Sequence, residues 1–336
     1  MSRIKSSLTR VLGLSVMAAS LVAAPAIAQT LAKPGKFPER PVTVYVPYGP
    51  GGGSDQLSRA WAEAMRPVLG IGMQVVNRPG GGGMAAVPDF MSAPKDGYTI
   101  LQSIDDAITN YASGKLKEHP AKDWTPLCMT QITFSQLYVR TDDNRFPNFD
   151  AFVKFARANP EKVSIANVGN LGAMERVNMR LLESALNFKT RQIAFDKPSE
   201  RYAALLGGQV DVLFEQPGDV RNFIEAKQFK PIFTFLRERP TVFADAPALN
   251  DIKEADFEPL LRFRGFWVHK DVPQDRTSYL SAACKQAFSS SSYNEFNKSK
   301  YMHLIDSFRD TEGSKKLINN SIDAYTKVYK EIGLVK

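Results

Sequence analysis

Residues 42–55 read VTVYVPYGPGGGSD, a strand followed by a glycine-rich turn and the start of a helix. Valines alternate with threonine and tyrosine, as in a strand with one buried face. Prolines and three successive glycines then favour a tight turn. Ser54 or Asp55 stands where a cap for the following helix belongs. Such a turn presents backbone N–H groups at a helix N-terminus, which predicts an anion site.

The first 28 residues have the features of a secretory signal peptide. Three basic residues precede an apolar run at 11–24, and Ala-Ile-Ala at 26–28 is a cleavage signal. We expect cleavage after Ala28 and export to a bacterial periplasm. Cys128 and Cys284 could pair in that oxidising compartment, although their spacing does not show whether they meet.

Net charge and length limit the kind of partner and the number of domains. Loss of the three basic signal residues lowers the formal charge from +8 to +5. This balance suits a small acidic ligand, and no Lys/Arg run indicates nucleic acid. The remaining 308 residues are long for one core, so we expect two domains in a monomer.

Strand and helix patterns alternate along the chain, which indicates parallel sheets with helical crossovers. We predict an α/β fold of two lobes, each a mixed, mostly parallel sheet flanked by helices, with a ligand cleft between them. Residues 38–130 and 250–336 form the first predicted domain, and residues 131–249 the second. The β-rich runs 124–140 and 263–269 are candidates for strands that pass between domains. Two helices, near 276–289 and 314–332, should close the chain.

Patterns typical of enzymes are missing from the sequence. None of the three histidines lies in a metal-binding motif, and neither a G-x-S-x-G elbow nor a Walker A loop occurs. We therefore expect no catalysis, no metal and no cofactor. Gly80-x-Gly82-x-x-Ala85 with Asp105 loosely matches a dinucleotide fingerprint, but Pro79 interrupts it. An exported α/β enzyme that acts on a small organic acid remains an alternative.

Several short segments resemble, in order, the periplasmic solute-binding receptors of the tripartite tricarboxylate transporters, the Bug family. They are VPYGPGG at 46–52 with Asp55 and Arg59, NRPGGGG at 77–83, KDGYT at 95–99, DWTP at 123–126, ARANP at 156–160, LLGGQVDV at 205–212, and Arg239 with PAL at 247–249. The resemblance implies two α/β domains that close over a carboxylate-bearing solute: a di- or tricarboxylate, an acidic amino acid or an aromatic carboxylate. It implies binding mainly by backbone N–H groups and water rather than by an arginine clamp, and a membrane permease as partner.

The same resemblance implies six ligand loops, three in each domain. In the first domain they comprise Tyr48, Gly49, Pro50, Gly51, Gly52, Gly53 and Ser54; Gly81, Gly82, Gly83 and Met84; and Ser103, Ile104, Asp105 and Asp106. In the second domain they comprise Gly169, Asn170, Gly172 and Ala173; Phe195 and Asp196; and Glu215. We expect Asp55 to shape the first loop and Gly51 to permit close backbone approach to the solute.

Some positions depart from the family pattern. Residues 169–175 lack the usual hydroxyl, and Glu175 stands near the position of a histidine. Asp105 and Asp106 replace small hydroxyl residues, and Phe263 replaces a tryptophan. The three acids would repel a plain dicarboxylate unless they face away. They are either helix-start acids favoured by the helix dipole or partners for an amine or hydroxyl on the solute. A receptor that feeds a signalling protein instead of a permease would have the same site.

Overall fold

The computed structural model describes residues 31–168, 172–195 and 197–335. The predicted signal peptide lies outside these residues. The strands are β1 Val42–Val46, β2 Met73–Asn77, β3 Thr99–Ile104, β4 Trp124–Thr133, β5 Ser135–Arg140, β6 Ser164–Asn167, β7 Arg191–Ala194, β8 Val212–Glu215, β9 Phe229–Phe235 and β10 Arg262–His269. The helices are α1 Gly53–Leu69, α2 Val87–Ser92, α3 Asp106–Ala112, α4 Phe149–Ala158, α5 Met174–Leu186, α6 Pro198–Leu206, α7 Arg221–Glu225, α8 Gln274–Phe288, α9 Ser291–Ser299 and α10 Thr311–Glu331.

The strands form two five-stranded sheets with the same plan. The first has the order β2-β1-β3-β10-β4 and the second the order β7-β6-β8-β5-β9. In each sheet the strand in fourth place is antiparallel to both neighbours, while the first three are parallel. The predicted two-lobed α/β fold with mostly parallel sheets is confirmed. We call the part built on each sheet the first and the second lobe; the predicted domain boundaries remain a prediction.

The chain passes between the sheets through two segments. The run 124–140 does so as expected, because β4 belongs to the first sheet and β5, one residue later, to the second. The expectation for 263–269 is wrong, because β10 pairs only with β3 and β4 of the first sheet. The second passage is made by residues 236–261. Thus the antiparallel strand of each sheet is the first strand after a passage.

Most predicted helices and strands lie within a few residues of their expected places. A third helix, α9, lies near the C-terminus in addition to the two predicted. Helix α2 begins at Val87, after a 3-10 turn at Gly81–Gly83. Neither Ser54 nor Asp55 is the N-cap of α1, because the helix begins at Gly53 and Gly52 is the cap residue. Among the described residues, no helix is long and apolar enough to cross a membrane.

Strand β10 lies between β3 and β4 in the first sheet, and each of its eight residues is buried. The ring of Phe266 stacks on Trp61 of α1 with centroids 3.7 Å apart. A strand buried on both faces normally reads as an apolar run, so Arg262 and Arg264 stand out. Behind the sheet, a disulfide joins Cys128 of β4 to Cys284 of α8, which settles the open question of their pairing.

Candidate functional site

The first predicted loop lies where expected, at the carboxyl end of β1. Its shape depends on Asp55, whose Oδ2 accepts the Gly51 N–H at 3.0 Å. Asn77 ties the carboxylate of Asp55 to the Tyr48 carbonyl, with bonds of 3.1 and 2.9 Å. The carboxylate also pairs with Arg59. These contacts hold the loop so that the N-terminus of α1 points between the lobes.

The glycines of this loop differ in what they approach. Gly51 has a φ of +81°, and no other group of the described residues lies within 4 Å of where its Cβ would stand, so its close approach to a solute remains a prediction. A Cβ at Gly52 would lie 2.5 Å from Cγ of Pro198 in the second lobe. A Cβ at Gly53 would overlap the side chains of Asp219 and Arg264. Gly52 and Gly53 therefore let the lobes meet.

The second and third loops pack behind Tyr48. A Cβ at Gly83 would lie 2.7 Å from the Tyr48 hydroxyl, so this glycine lets the second loop pack against Tyr48. The Tyr48 hydroxyl donates to Oδ2 of Asp106 at 2.6 Å. Burial raises the pKa of Tyr48 well above its ordinary value, with Asp106 adding to the effect. Tyr48 is therefore a neutral donor in the wall of the cleft.

Arg262 accounts for all three acids that depart from the family pattern. Its Nη1 lies 2.8 Å from Oδ1 of Asp105 and 3.8 Å from Oδ1 of Asp106, and its Nη2 pairs with Glu175. Both interpretations of these acids omitted their partner, which is a buried arginine. Burial raises the pKa of Asp105 and of Asp106 to about 6, although Arg262 pulls both values down. Burial raises the pKa of Glu175 as well.

Arg264, two residues along the same strand, joins the lobes in a second way. Its Nη2 lies 2.5 Å from Oδ2 of Asp219, in the loop after β8. The same nitrogen donates to Oε1 of Gln216 at 3.0 Å, and Nη1 donates to Gln131. Burial raises the pKa of Asp219 against the pull of Arg264. The pair lies beside Gly53 at the start of α1.

The second lobe contributes a further buried pair. Arg201 of α6 holds Glu215, the last residue of β8, and Nε of Arg201 lies 3.1 Å from Oε2. Tyr202 donates to the same oxygen at 3.1 Å. Burial alone would raise the pKa of Glu215, but Arg201 and the Gln216 N–H hold it below its ordinary value. Glu215 is therefore a fixed anion.

These groups surround a small space between the lobes, which we call the inner cavity. Of the predicted site residues it is lined by Tyr48, Gly52, Gly53, Ser54, Ile104 and Glu215. It is also lined by Val168, Pro198, Arg201, Gln216, Asp219, Arg262 and Arg264. Its water-accessible volume is about 30 Å³, which is room for a few water molecules. Loops from both lobes thus meet at one buried, charged point.

Other predicted site residues lie further from this space. Those of the second and third loops, from Gly81 to Met84 and at Ser103, Asp105 and Asp106, are not in its lining, nor are Gly49, Pro50, Gly51, Gly172, Ala173 and Phe195. The Gly172 carbonyl accepts from Tyr329 of α10, and the Phe195 carbonyl accepts from Arg201. Gly169, Asn170 and Asp196 lie outside the described residues. Their role as ligands remains a prediction.

Sequence reasoning missed the arginines. The resemblance implied a site without an arginine clamp, whereas Arg201, Arg262 and Arg264 all line the inner cavity. A signal was present at 262–269, RFRGFWVH, where two arginines share one face of an otherwise apolar strand. Charges on such a strand need buried partners. The sequence could have flagged Arg262 and Arg264 in this way, but not their partners.

Comparisons with known proteins bear on this arrangement. A model of the tripartite tricarboxylate transporter family receptor matches residues 57–334. A Pseudomonas sp. (strain P51) protein, "UPF0065 protein in tcbD-tcbE intergenic region", is 27% identical over 252 residues, 75% of this chain and 74% of the relative.

Two solved structures share the fold. MatC from Rhodopseudomonas palustris with bound malate has a TM-score of 0.77 and 22% identity, covering 87% of this chain and 99% of its own. A second R. palustris protein, with adipate, has a TM-score of 0.79 and 19% identity, covering 88% of this chain and 98% of its own. At these identities the likeness concerns the fold.

Proposed function

Because this chain belongs to the family of tripartite tricarboxylate transporter receptors, we propose that it is an exported receptor for a small carboxylate-containing solute. It captures the solute between its two lobes and delivers it to a membrane permease. The solute is released unchanged, so the protein acts without a catalytic step, metal or cofactor. The signal peptide at residues 1–28 directs it to the periplasm, where it works as a monomer.

One observation carries the proposal: the N-terminus of α1 in the first lobe faces buried arginines in a cavity between the lobes. Helix N-termini favour anions because their first N–H groups lack partners within the helix and the helix dipole is positive there. Arg264 of the first lobe and Arg201 of the second lobe add donors to the same cavity. Groups of this kind bind carboxylates well. A solute held by both lobes would favour closure, as in other hinged receptors.

The structural neighbours support the class of solute. One was solved with malate and the other with adipate, both dicarboxylates. The surroundings of Arg262 differ from a plain anion site, since three acids already surround that guanidinium. We therefore include acidic amino acids and aromatic carboxylates with di- and tricarboxylates among the candidate solutes.

A thermal-shift screen of residues 29–336 tests the proposal. The panel contains malate, adipate, citrate, aspartate, glutamate, benzoate and terephthalate. A ligand at a hundred times its dissociation constant adds about 2.7 kcal/mol to the free energy of unfolding, which raises the melting temperature by several degrees. We expect a shift with at least one class of carboxylate and stoichiometric binding without turnover.

Matched variants assign that shift to the cleft. Arg264→Gln removes a buried guanidinium of the cavity, whereas Arg237→Gln removes an exposed one that pairs with two surface acids. The shift should shrink in the first variant and persist in the second. The proposal would be contradicted if no carboxylate shifts the melting temperature of the wild-type protein, or if the protein converts a carboxylate into product.

A further inference from the structure

A carboxylate already occupies the place where the solute's carboxylate is expected. Both oxygens of Asp219 lie against Gly53, the first residue of α1, where a Cβ would overlap them. The side chain is 4% exposed and its Oδ2 lies 2.5 Å from Nη2 of Arg264. An anion at a helix start, held by a guanidinium, is the arrangement proposed above for the solute. Here the anion belongs to the protein.

The two partners come from different lobes. Asp219 follows β8 of the second sheet, and Arg264 lies in β10 of the first. The Asp219–Arg264 pair therefore exists only while the lobes are together. When they separate, Arg264 and the N-terminus of α1 stay in the first lobe, and Asp219 leaves with the second. This motion removes an anion from the first lobe and leaves its donors free.

Asp219 also belongs to the lining of two spaces. One is the inner cavity, and the other is a groove bounded by Pro50 and Gln56 of the first lobe and by Tyr202, Leu206 and Phe223 of the second. The water-accessible volume of the groove is about 360 Å³, whereas that of the inner cavity is about 30 Å³. A dicarboxylate is too large for the inner cavity alone. Displacement of Asp219 would join the two spaces.

The charge balance points the same way. The buried ionisable groups around the cleft are three arginines and five acids: Arg201, Arg262, Arg264, Asp105, Asp106, Glu175, Glu215 and Asp219. A solute carboxylate would add to a formal excess of negative charge, which is costly in a buried site. Of the five acids, Asp219 competes most directly, because it shares Arg264 and the α1 N-terminus with the incoming anion.

We infer that Asp219 is an internal carboxylate ligand that competes with the solute for Arg264 and the N-terminus of α1. The inference rests on the proposed function. A solute must displace Asp219 before the lobes close over it. Competition with Asp219 therefore limits the affinity with which the receptor binds a solute. Carboxylates that cannot replace it at both Arg264 and α1 are rejected.

Breaking the pair from each side tests this role. Asp219→Asn keeps the shape but removes the competing charge, and we expect carboxylates of the panel to bind about tenfold more tightly. Arg264→Gln removes the shared donor, and we expect the same ligands to bind at least about tenfold more weakly. Glu225→Gln, which removes an exposed acid of the neighbouring α7, is the control and should leave affinity unchanged. Isothermal titration with malate, adipate and benzoate gives the affinity of each ligand for the wild type and for the three variants.

Opposite signs are the decisive result. A pair that only braces the closed shape would weaken binding whichever side is broken, so a loss of affinity in Asp219→Asn would overturn the inference while leaving the receptor function intact. Failure of the wild type and of Asp219→Asn to bind any carboxylate would instead remove the proposed function.

Small-angle X-ray scattering gives a test that needs neither a ligand nor a variant. Wild-type protein, unfolded in urea and refolded to remove bound solute, should scatter as calculated from this structure, because Asp219 holds the lobes together. A curve that requires separated lobes would overturn the inference. If Asp219→Asn folds, its radius of gyration should exceed that of the wild type.

Discussion

Two arginines on one face of β10 show how neighbouring buried charges differ in function. Arg262 meets three acids, Asp105, Asp106 and Glu175, so acids exceed cations around it. Arg264 meets one acid, Asp219, together with two glutamines. An excess of acids keeps the first guanidinium in place whatever the solute does. A single acid from the opposite lobe leaves the second guanidinium able to exchange partners.

The largest expected effect comes from Arg262→Met, which keeps an unbranched stem but removes the charged guanidinium group. Three buried acids would lose their partner, and breaking a buried ion pair typically costs about 3–5 kcal/mol. We expect a loss of that size in the free energy of unfolding, measured by urea denaturation at pH 7.

The matched control is Arg237→Met. Arg237 also contacts two acids, Asp256 and Glu258, but these contacts are exposed to solvent. Exposed pairs contribute little, so this variant should unfold close to the wild type. Equal losses in the two variants would mean that the Arg262 cluster stabilises the fold no more than a surface pair does.

The contact between α1 and the Arg264 pair is tested by Gly53→Ala. The new methyl group would overlap Asp219 and Arg264, and overpacking of this kind costs about 1–3 kcal/mol. Gly72→Ala is the control, because its Cβ would meet no other group within 4 Å. Both variants are compared with the wild type by urea denaturation.

A double variant sharpens the comparison between the arginines. Asp219→Ala should relieve part of the cost of Gly53→Ala, so the two changes combine to less than their sum. Asp106→Ala belongs to the other cluster and should add to Gly53→Ala without coupling. If the effects add in both double variants, Gly53 is not energetically coupled to the Asp219–Arg264 pair.

The smallest effect is a change with pH in Asp106→Asn. The pKa of Asp106 is about 6 in the folded protein and lower when unfolded. The stability that Asp106 contributes to the folded protein is therefore present at low pH and is lost as the pH rises through about 6. Between pH 5 and pH 7.5, the free energy of unfolding of the variant should rise by about 1–2 kcal/mol relative to that of the wild type.

Melting temperatures across this pH range measure the trend. Asp150→Asn, an exposed acid in the first turn of α4, is the control and should show no such gain. If the melting temperatures of Asp106→Asn and of the wild type change in parallel with pH, Asp106 does not titrate in this pH range.

Much of the fold could be predicted because local patterns reflect local physics. The alternation of β1 and the turn at 49–53 follow from β-branched residues and glycines, and α8 and α10 lie near the helices predicted at 276–289 and 314–332. The family resemblance is confirmed by the match of the receptor model over 57–334. The α1 cap was misplaced because a glycine cap leaves no side-chain signal.

The site was harder to predict for a geometric reason. The family resemblance named six residues that line the inner cavity: Tyr48, Gly52, Gly53, Ser54, Ile104 and Glu215. Asp219 and Arg201 carry no local pattern, and their roles depend on partners in other strands. The placement of 263–269 was wrong because apolar periodicity does not say which sheet a strand joins.

The sequence by itself determined the alternation of strands and helices and the family, and it predicted the export signal and the glycine-rich anion site. These depend on residues close together in the chain, where backbone preferences and side-chain spacing act directly. Only the tertiary structure decided that Arg262 gathers three acids and that Asp219 meets Arg264 at the start of α1. Those pairs join residues 45 to 157 positions apart, and only the folding of β10 between β3 and β4 brings them into contact.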